Sequence, residues 1–154
     1  MLRHLQRISD VNVLLALCYE EHQFHGPAIT WLGSQTAHAV ITCRITQLSL
    51  LRLLTTRSVM MADVCTREKA WSIWHSLMSD FRLHFLNEPT SLEACFKALS
   101  AEPQISPKLW QDDYLVAFAL SEGVGLASFD KGFRRYSGLD LDLLNAQVDQ
   151  AESN

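Results

Sequence analysis

Two rhythms of apolar and polar positions succeed one another along the chain. Short runs of alternating or β-rich residues are followed by longer runs at helical spacing. Residues 5–10 (Leu-Gln-Arg-Ile-Ser-Asp) predict a first strand, the most polar of the set, and the apolar run from Val11 to Glu20 predicts a helix. A second helix is expected from near Pro27, which suits a first turn, carrying Ala28, Ile29, Trp31 and Leu32. Residues 37–43 predict a second strand, and 46–54, dense in leucine, a mostly buried helix. Residues 66–80 set Ala70, Ile73, Trp74, Leu77 and Met78 on one stripe. Residues 81–86 alternate as a half-buried strand does. A turn at Pro89-Thr90-Ser91 introduces a capped helix through about Leu99. Residues 101–107, with two prolines, predict a loop, the one place for a flexible flap. A helix over 108–121 is stopped by Glu122-Gly123, a strand follows over 124–130, and 139–144 predict a last short strand.

Strands alternating with helices imply an α/β fold, a parallel sheet covered on both faces. The 154 residues suit a single domain, expected over 1–146, with a polar tail at 147–154. The composition, 48% hydrophobic and 19% charged, is that of a folded chain rather than a disordered one. A net charge of −4 argues against a strongly cationic nucleic-acid-binding module, but not against an enzyme that holds phosphodiesters through metal ions. Cys18, Cys43, Cys65 and Cys95 are widely spaced, which excludes a zinc-type Cys-x-x-Cys pair. The N-terminal residues lack the apolar core of a signal peptide, and no run reaches membrane-spanning length, so the expected location is cytoplasmic.

The candidate chemistry is acidic. Asp10 closes the first strand and opens the first helix, and Asp130 closes the strand over 124–129. Asp112 and Asp113 stand near the start of the helix from Lys108. In a parallel sheet with right-handed crossovers, strand ends and the starts of following helices share one edge, so these carboxylates can converge. Converging carboxylates repel unless protonated or bridged by cations, and all-oxygen ligands select Mg²⁺ or Mn²⁺ over zinc. Such an ion suits phosphodiester hydrolysis. Asp112 and Asp113 lie about 100° apart on a helix, and spacing alone does not choose between them, although Asp112 shares its face with Leu115, Val116 and Ala119.

The ordered set of segments around these acids resembles the PIN-domain ribonucleases, in particular the VapC-like toxins of toxin–antitoxin pairs. The segments are Asp10–Leu17, Thr46–Leu54, Asp112–Leu120 and Leu126–Phe133. His22-x-x-His25 and Trp31-Leu32 match the segment after the first helix. The resemblance implies a three-layer α/β/α sandwich around a parallel sheet of four or five strands. It implies that Asp10, Asp112 and Asp130 hold the metal, with Asn12, Gln47 and Ser128 tuning its surroundings and Asp113 a solvated or supporting charge. It also implies RNA as substrate, a VapB-like antitoxin across the acidic cleft, a homodimer, and operator DNA bound only through the antitoxin. Gln47 is a departure, since many PIN nucleases carry Glu there; it removes a negative charge and motivates an alternative, a catalytically impaired module that binds RNA or protein.

Blander readings apply elsewhere. His22 and His25 are expected to be surface or packing residues, and Arg52 to lay its stem on the leucine helix. Lys131, Arg134 and Arg135 form a local basic cluster that suits RNA, an acidic partner or plain solvation. Trp31, Trp71, Trp74 and Trp110 are expected in core or interface packing rather than as stacking platforms. A phosphoacceptor receiver-like domain fits poorly, because the order of its acids differs.

Overall fold

The computed structural model describes residues 5–144. The segment 147–154, expected as a polar tail, lies outside them. Five strands form one parallel sheet in the order β3-β2-β1-β4-β5: β1 (Arg7–Ser9), β2 (Val40–Thr42), β3 (Leu83–Phe85), β4 (Gly125–Ser128) and β5 (Leu141–Leu143). The helices are α1 (Val11–Cys18), α2 (His25–Gly33), α3 (Arg44–Leu54), α4 (Arg57–Met60), α5 (Arg67–Met78), α6 (Leu92–Ser100) and α7 (Leu109–Glu122), with 3₁₀ turns at Met61–Asp63 and Lys131–Arg135. The expected sandwich is present, with five strands.

The period of two along each strand divides the core. Val40 and Ala127 face one cluster with Val13, Leu14, Leu50 and Trp74, which covers the sheet with α1, α2, α3 and α5. Their neighbours Ile41 and Leu126 face the opposite cluster, where Ile8, Leu115, Phe118 and Ala119 pack the sheet against α6 and α7. Each fully buried large side chain such as Phe118 contributes roughly 1.5–3 kcal/mol of burial.

The strands are shorter than the apolar runs that predict them, because flanking residues turn into loops that set the strand ends. His38 stands at φ 59°, so the chain bends before β2. The helix expected from 46 begins two residues earlier: the Thr46 hydroxyl accepts from the Cys43 amide at 3.1 Å and closes the first turn. Thr66 caps α5 by accepting from the Lys69 amide. Gly123, at φ 69°, ends α7 in the left-handed conformation that only glycine adopts cheaply. The short helix over Arg57–Met60 and the 3₁₀ turn after it lack enough periodic residues to predict.

At the amino-terminal edge of the sheet, Arg7 spans to Asp140 at 3.0 Å and Asp142 at 3.4 Å. The Trp31 indole donates to Asp142 at 3.2 Å. Gly125 makes this crossing possible: a Cβ there would lie 2.6 Å from the Arg7 side chain and 2.7 Å from the Asp140 carbonyl. The central strand β1 is thus latched to the edge strand β5 across β4.

Candidate active site

The carboxyl-terminal edge carries the acids. Asp10 follows β1 and caps α1, accepting from the Val11 amide at 2.8 Å. Its other oxygen accepts from the Ser128 hydroxyl at 2.8 Å. That hydroxyl, at the end of β4, also accepts from the Asp130 amide at 2.9 Å and the Asn12 side chain at 3.2 Å. The Asn12 oxygen in turn accepts from the Phe129 amide at 3.4 Å. One buried hydroxyl therefore joins Asp10, Asn12 and the backbone of Asp130, residues more than a hundred positions apart.

Asp130 accepts from the Gly132 amide at 2.8 Å, opening the 3₁₀ turn that carries Arg135. Arg135 donates back to the Gly132 carbonyl at 2.8 Å and reaches Asp112 at 3.1 Å. This brings the α7 acid to the same edge. Burial pushes the Asp10 carboxyl up to about 6, with Asp112 and Asp130 raising it further against the Ser128 and Val11 hydrogen bonds. Partial burial also raises Asp112, while Arg135 pulls it back and Asp130 adds to the rise.

The two neighbouring acids of α7, which spacing alone does not separate, differ in exposure. Asp113 is the buried one, at 7%, and accepts from the Tyr136 hydroxyl. Asp112 keeps a quarter of its side chain exposed beside Asp10 and Asp130. The apolar face assigned to Asp112 ends at the first turn, where the 3₁₀ turn at 131–135 rather than the core covers the helix. Asp113 is therefore not a solvated charge, and it holds Tyr136.

Gln47 is buried, and its side-chain oxygen accepts from Arg44, whose guanidinium stands 4.9 Å over the Phe85 ring. Gln47 is thus engaged by a cation of its own helix rather than by the Ser128 cluster. Arg44, Tyr136 and the Asp112 contact of Arg135 were not foreseen; the basic cluster at 131–135 was the one sequence signal near them. Trp31 and Trp74 are buried in the core, whereas Trp110 and Trp71 are 58% and 44% exposed. His25 packs as expected, its ring nitrogen 2.6 Å from the Ala16 carbonyl. Among the described residues, no group of three or more His, Cys, Asp or Glu side chains stands close enough together to hold a metal ion. None of the helices among them is long and apolar enough to cross a membrane.

A parallel five-stranded sheet with an acidic carboxyl-terminal edge agrees with comparison to known proteins. The PIN domain family model matches residues 8–139. The chain belongs to the PIN-domain family. It is 39% identical over 142 residues to Ribonuclease VapC41 of Mycobacterium tuberculosis, covering 89% of this chain and 97% of that protein. Its fold is similar to the crystal structure of Mycobacterium tuberculosis VapC20, a sarcin-ricin loop cleaving toxin, with a TM-score of 0.65 at 16% identity over 87% of this chain and 96% of that one. It is also similar to VapBC2 from Rickettsia felis, solved bound to a promoter DNA fragment, with a TM-score of 0.63 at 14% identity over 88% and 96%.

Proposed function

We propose that the chain is a metal-dependent endoribonuclease and the toxin of a toxin–antitoxin pair. The observation that carries this is the Ser128 hydroxyl, which ties Asp10 to the Asp130 backbone, while Arg135 ties Asp112 to the same edge. The family and the 39% identity to a VapC ribonuclease support the nuclease reading.

The donor set fits a hard divalent cation. It is all carboxylate oxygen, and burial together with like charge lifts Asp10 and Asp112, a load that a cation relieves. Asp10, Asp112 and Asp130 are the residues that would hold Mg²⁺ or Mn²⁺. A cation there supplies activation of water and stabilisation of charge developing at phosphorus. Ser128 and Asn12 keep the Asp10 carboxylate and the Asp130 backbone in register. Arg135 offsets the charge of Asp112, and Gln47, held by Arg44, adds no negative charge of its own.

The nuclease domain spans 1–146 with a tail at 147–154, and the chain works in the cytoplasm. Its partners are a VapB-like antitoxin, a second copy of itself, and operator DNA reached through the antitoxin; the likeness to VapBC2 supports the antitoxin and its promoter DNA. The alternative, a module that binds RNA or protein without cutting, is favoured by the neutral Gln47 and the open arrangement of acids. Incubating the protein with total RNA, in Mn²⁺ and in chelator, beside Asp10→Asn and Asp112→Asn, decides between them. Metal-dependent cleavage lost in both variants is expected. RNA binding without cleavage would favour the alternative, and equal activity in every sample would overturn the enzyme reading.

A further inference from the structure

A cavity of about 550 Å³ opens beside the acidic edge, not on it. It lies between the loop after α6, the first turn of α7 and the end of the 3₁₀ turn at Lys131–Arg135. Its volume is in the range of small-ligand sites. Trp110 lines it and is 58% exposed, so it is not part of the core. The Trp110 ring still touches Phe96 edge-on at 6.1 Å, which braces it without covering it.

The wall between cavity and acids is one continuous polar chain. Asp112 is paired with Arg135 at 3.1 Å, Arg135 donates to the Tyr136 hydroxyl at 2.7 Å, and that hydroxyl donates to Asp113. Arg135, Tyr136 and Asp113 also line the cavity. The guanidinium lies 4.4 Å over the Tyr136 ring, so one arginine faces the carboxylates on one side and the cavity on the other.

An exposed aromatic face beside a fixed guanidinium is the chemistry that holds an unpaired base. We infer that this cavity is a base-binding subsite, in which Trp110 stacks one unpaired nucleobase of the RNA and Arg135 meets the adjoining phosphate. The inference rests on the nuclease reading and deepens it, since it says which part of the RNA is gripped next to the site of cleavage. Trp110 is a specificity residue in this account and takes no part in the chemistry.

The test uses the full chain in chelator, so that binding is read without cleavage. The probes are single-stranded RNA hexamers of each base, and a hexamer of abasic ribose phosphates with the same charge. Trp110→Ala is expected to weaken at least one base-bearing hexamer about 5- to 100-fold, the range of a lost stacking contact, and to leave the abasic hexamer unchanged. Trp110→Phe is expected to restore most of that loss, which a merely misfolded variant would not do. Equal binding by Trp110→Ala and the parent chain overturns the inference. So does an equal loss on both kinds of hexamer, or a change in self-association by sedimentation with RNA binding intact, which would assign Trp110 to a protein interface. Metal-dependent RNA cleavage by the parent chain beside any of these results leaves the nuclease reading standing and removes only the subsite. A parent chain that neither binds nor cuts RNA removes both.

Discussion

The two edges of one sheet use the same residue types to opposite ends. At the amino-terminal edge, Arg7 is 13% exposed in its side chain and meets Asp140 and Asp142, and the result is a latch. At the carboxyl-terminal edge, Asp10 is as buried as a core residue, yet neutral donors hold it, the Val11 amide and the Ser128 hydroxyl. A carboxylate facing a guanidinium has its charge answered. One answered only by dipoles stays costly to ionise, and burial holds Asp10 near 6. Residue type does not distinguish Asp10 from Asp140 and Asp142; the partner does.

The sharpest break of this contrast is Asp10→Asn, which keeps the shape and removes the charge. RNA cleavage is expected to fall at least about a hundredfold, a loss of several kcal/mol of charge stabilisation, measured as single-turnover rate in Mn²⁺. The same variant is expected to melt no lower than the parent in chelator. The second test is pH. A carboxyl raised in the folded state adds stability that is full below its ordinary value of 3.8 and is lost as pH rises through about 6. The stability of the parent relative to Asp10→Asn is therefore expected to fall between pH 4 and 7, by up to about 3 kcal/mol in chelator denaturation curves. A flat difference would refute the buried, unanswered state of Asp10.

At the other edge, Arg7→Met is expected to cost about 2 kcal/mol by urea denaturation, below the value for a fully buried pair because Asp140 is 61% exposed. Cleavage at a temperature where it stays folded should be unchanged. Ser128→Ala is expected to cost about 1–2 kcal/mol and to slow cleavage roughly 10- to 100-fold, because three partners lose one hydroxyl. The smallest effect belongs to Gln47→Ala, about 1 kcal/mol from the orphaned Arg44 contact.

The order of strands and helices is legible in the sequence because each carries its own period, and Ile41 and Val40 divide their faces as alternation demands. Asp10 and Asp130 are legible too, since strand ends set their edge. The choice between Asp112 and Asp113 is not. Helical spacing tells which residues share a face, but what covers that face is a 3₁₀ turn about twenty residues on, where Arg135 and the following Tyr136 take one acid each. Exposure of Trp110 is hidden for the same reason: the cavity beside it is made by a loop.

The central place of β1 has a further consequence. The amide of Asp10 is bonded to the Ala127 carbonyl at 2.9 Å, the last rung of the ladder that joins β1 to β4. Hydrogen exchange at Asp10 then requires the carboxyl ends of the two middle strands to part. Asp10 is thus set in place by the sheet itself, with no separate ordering step at the acidic edge. Silencing it calls for a plug at the mouth, applied from outside and removable without disturbing the fold.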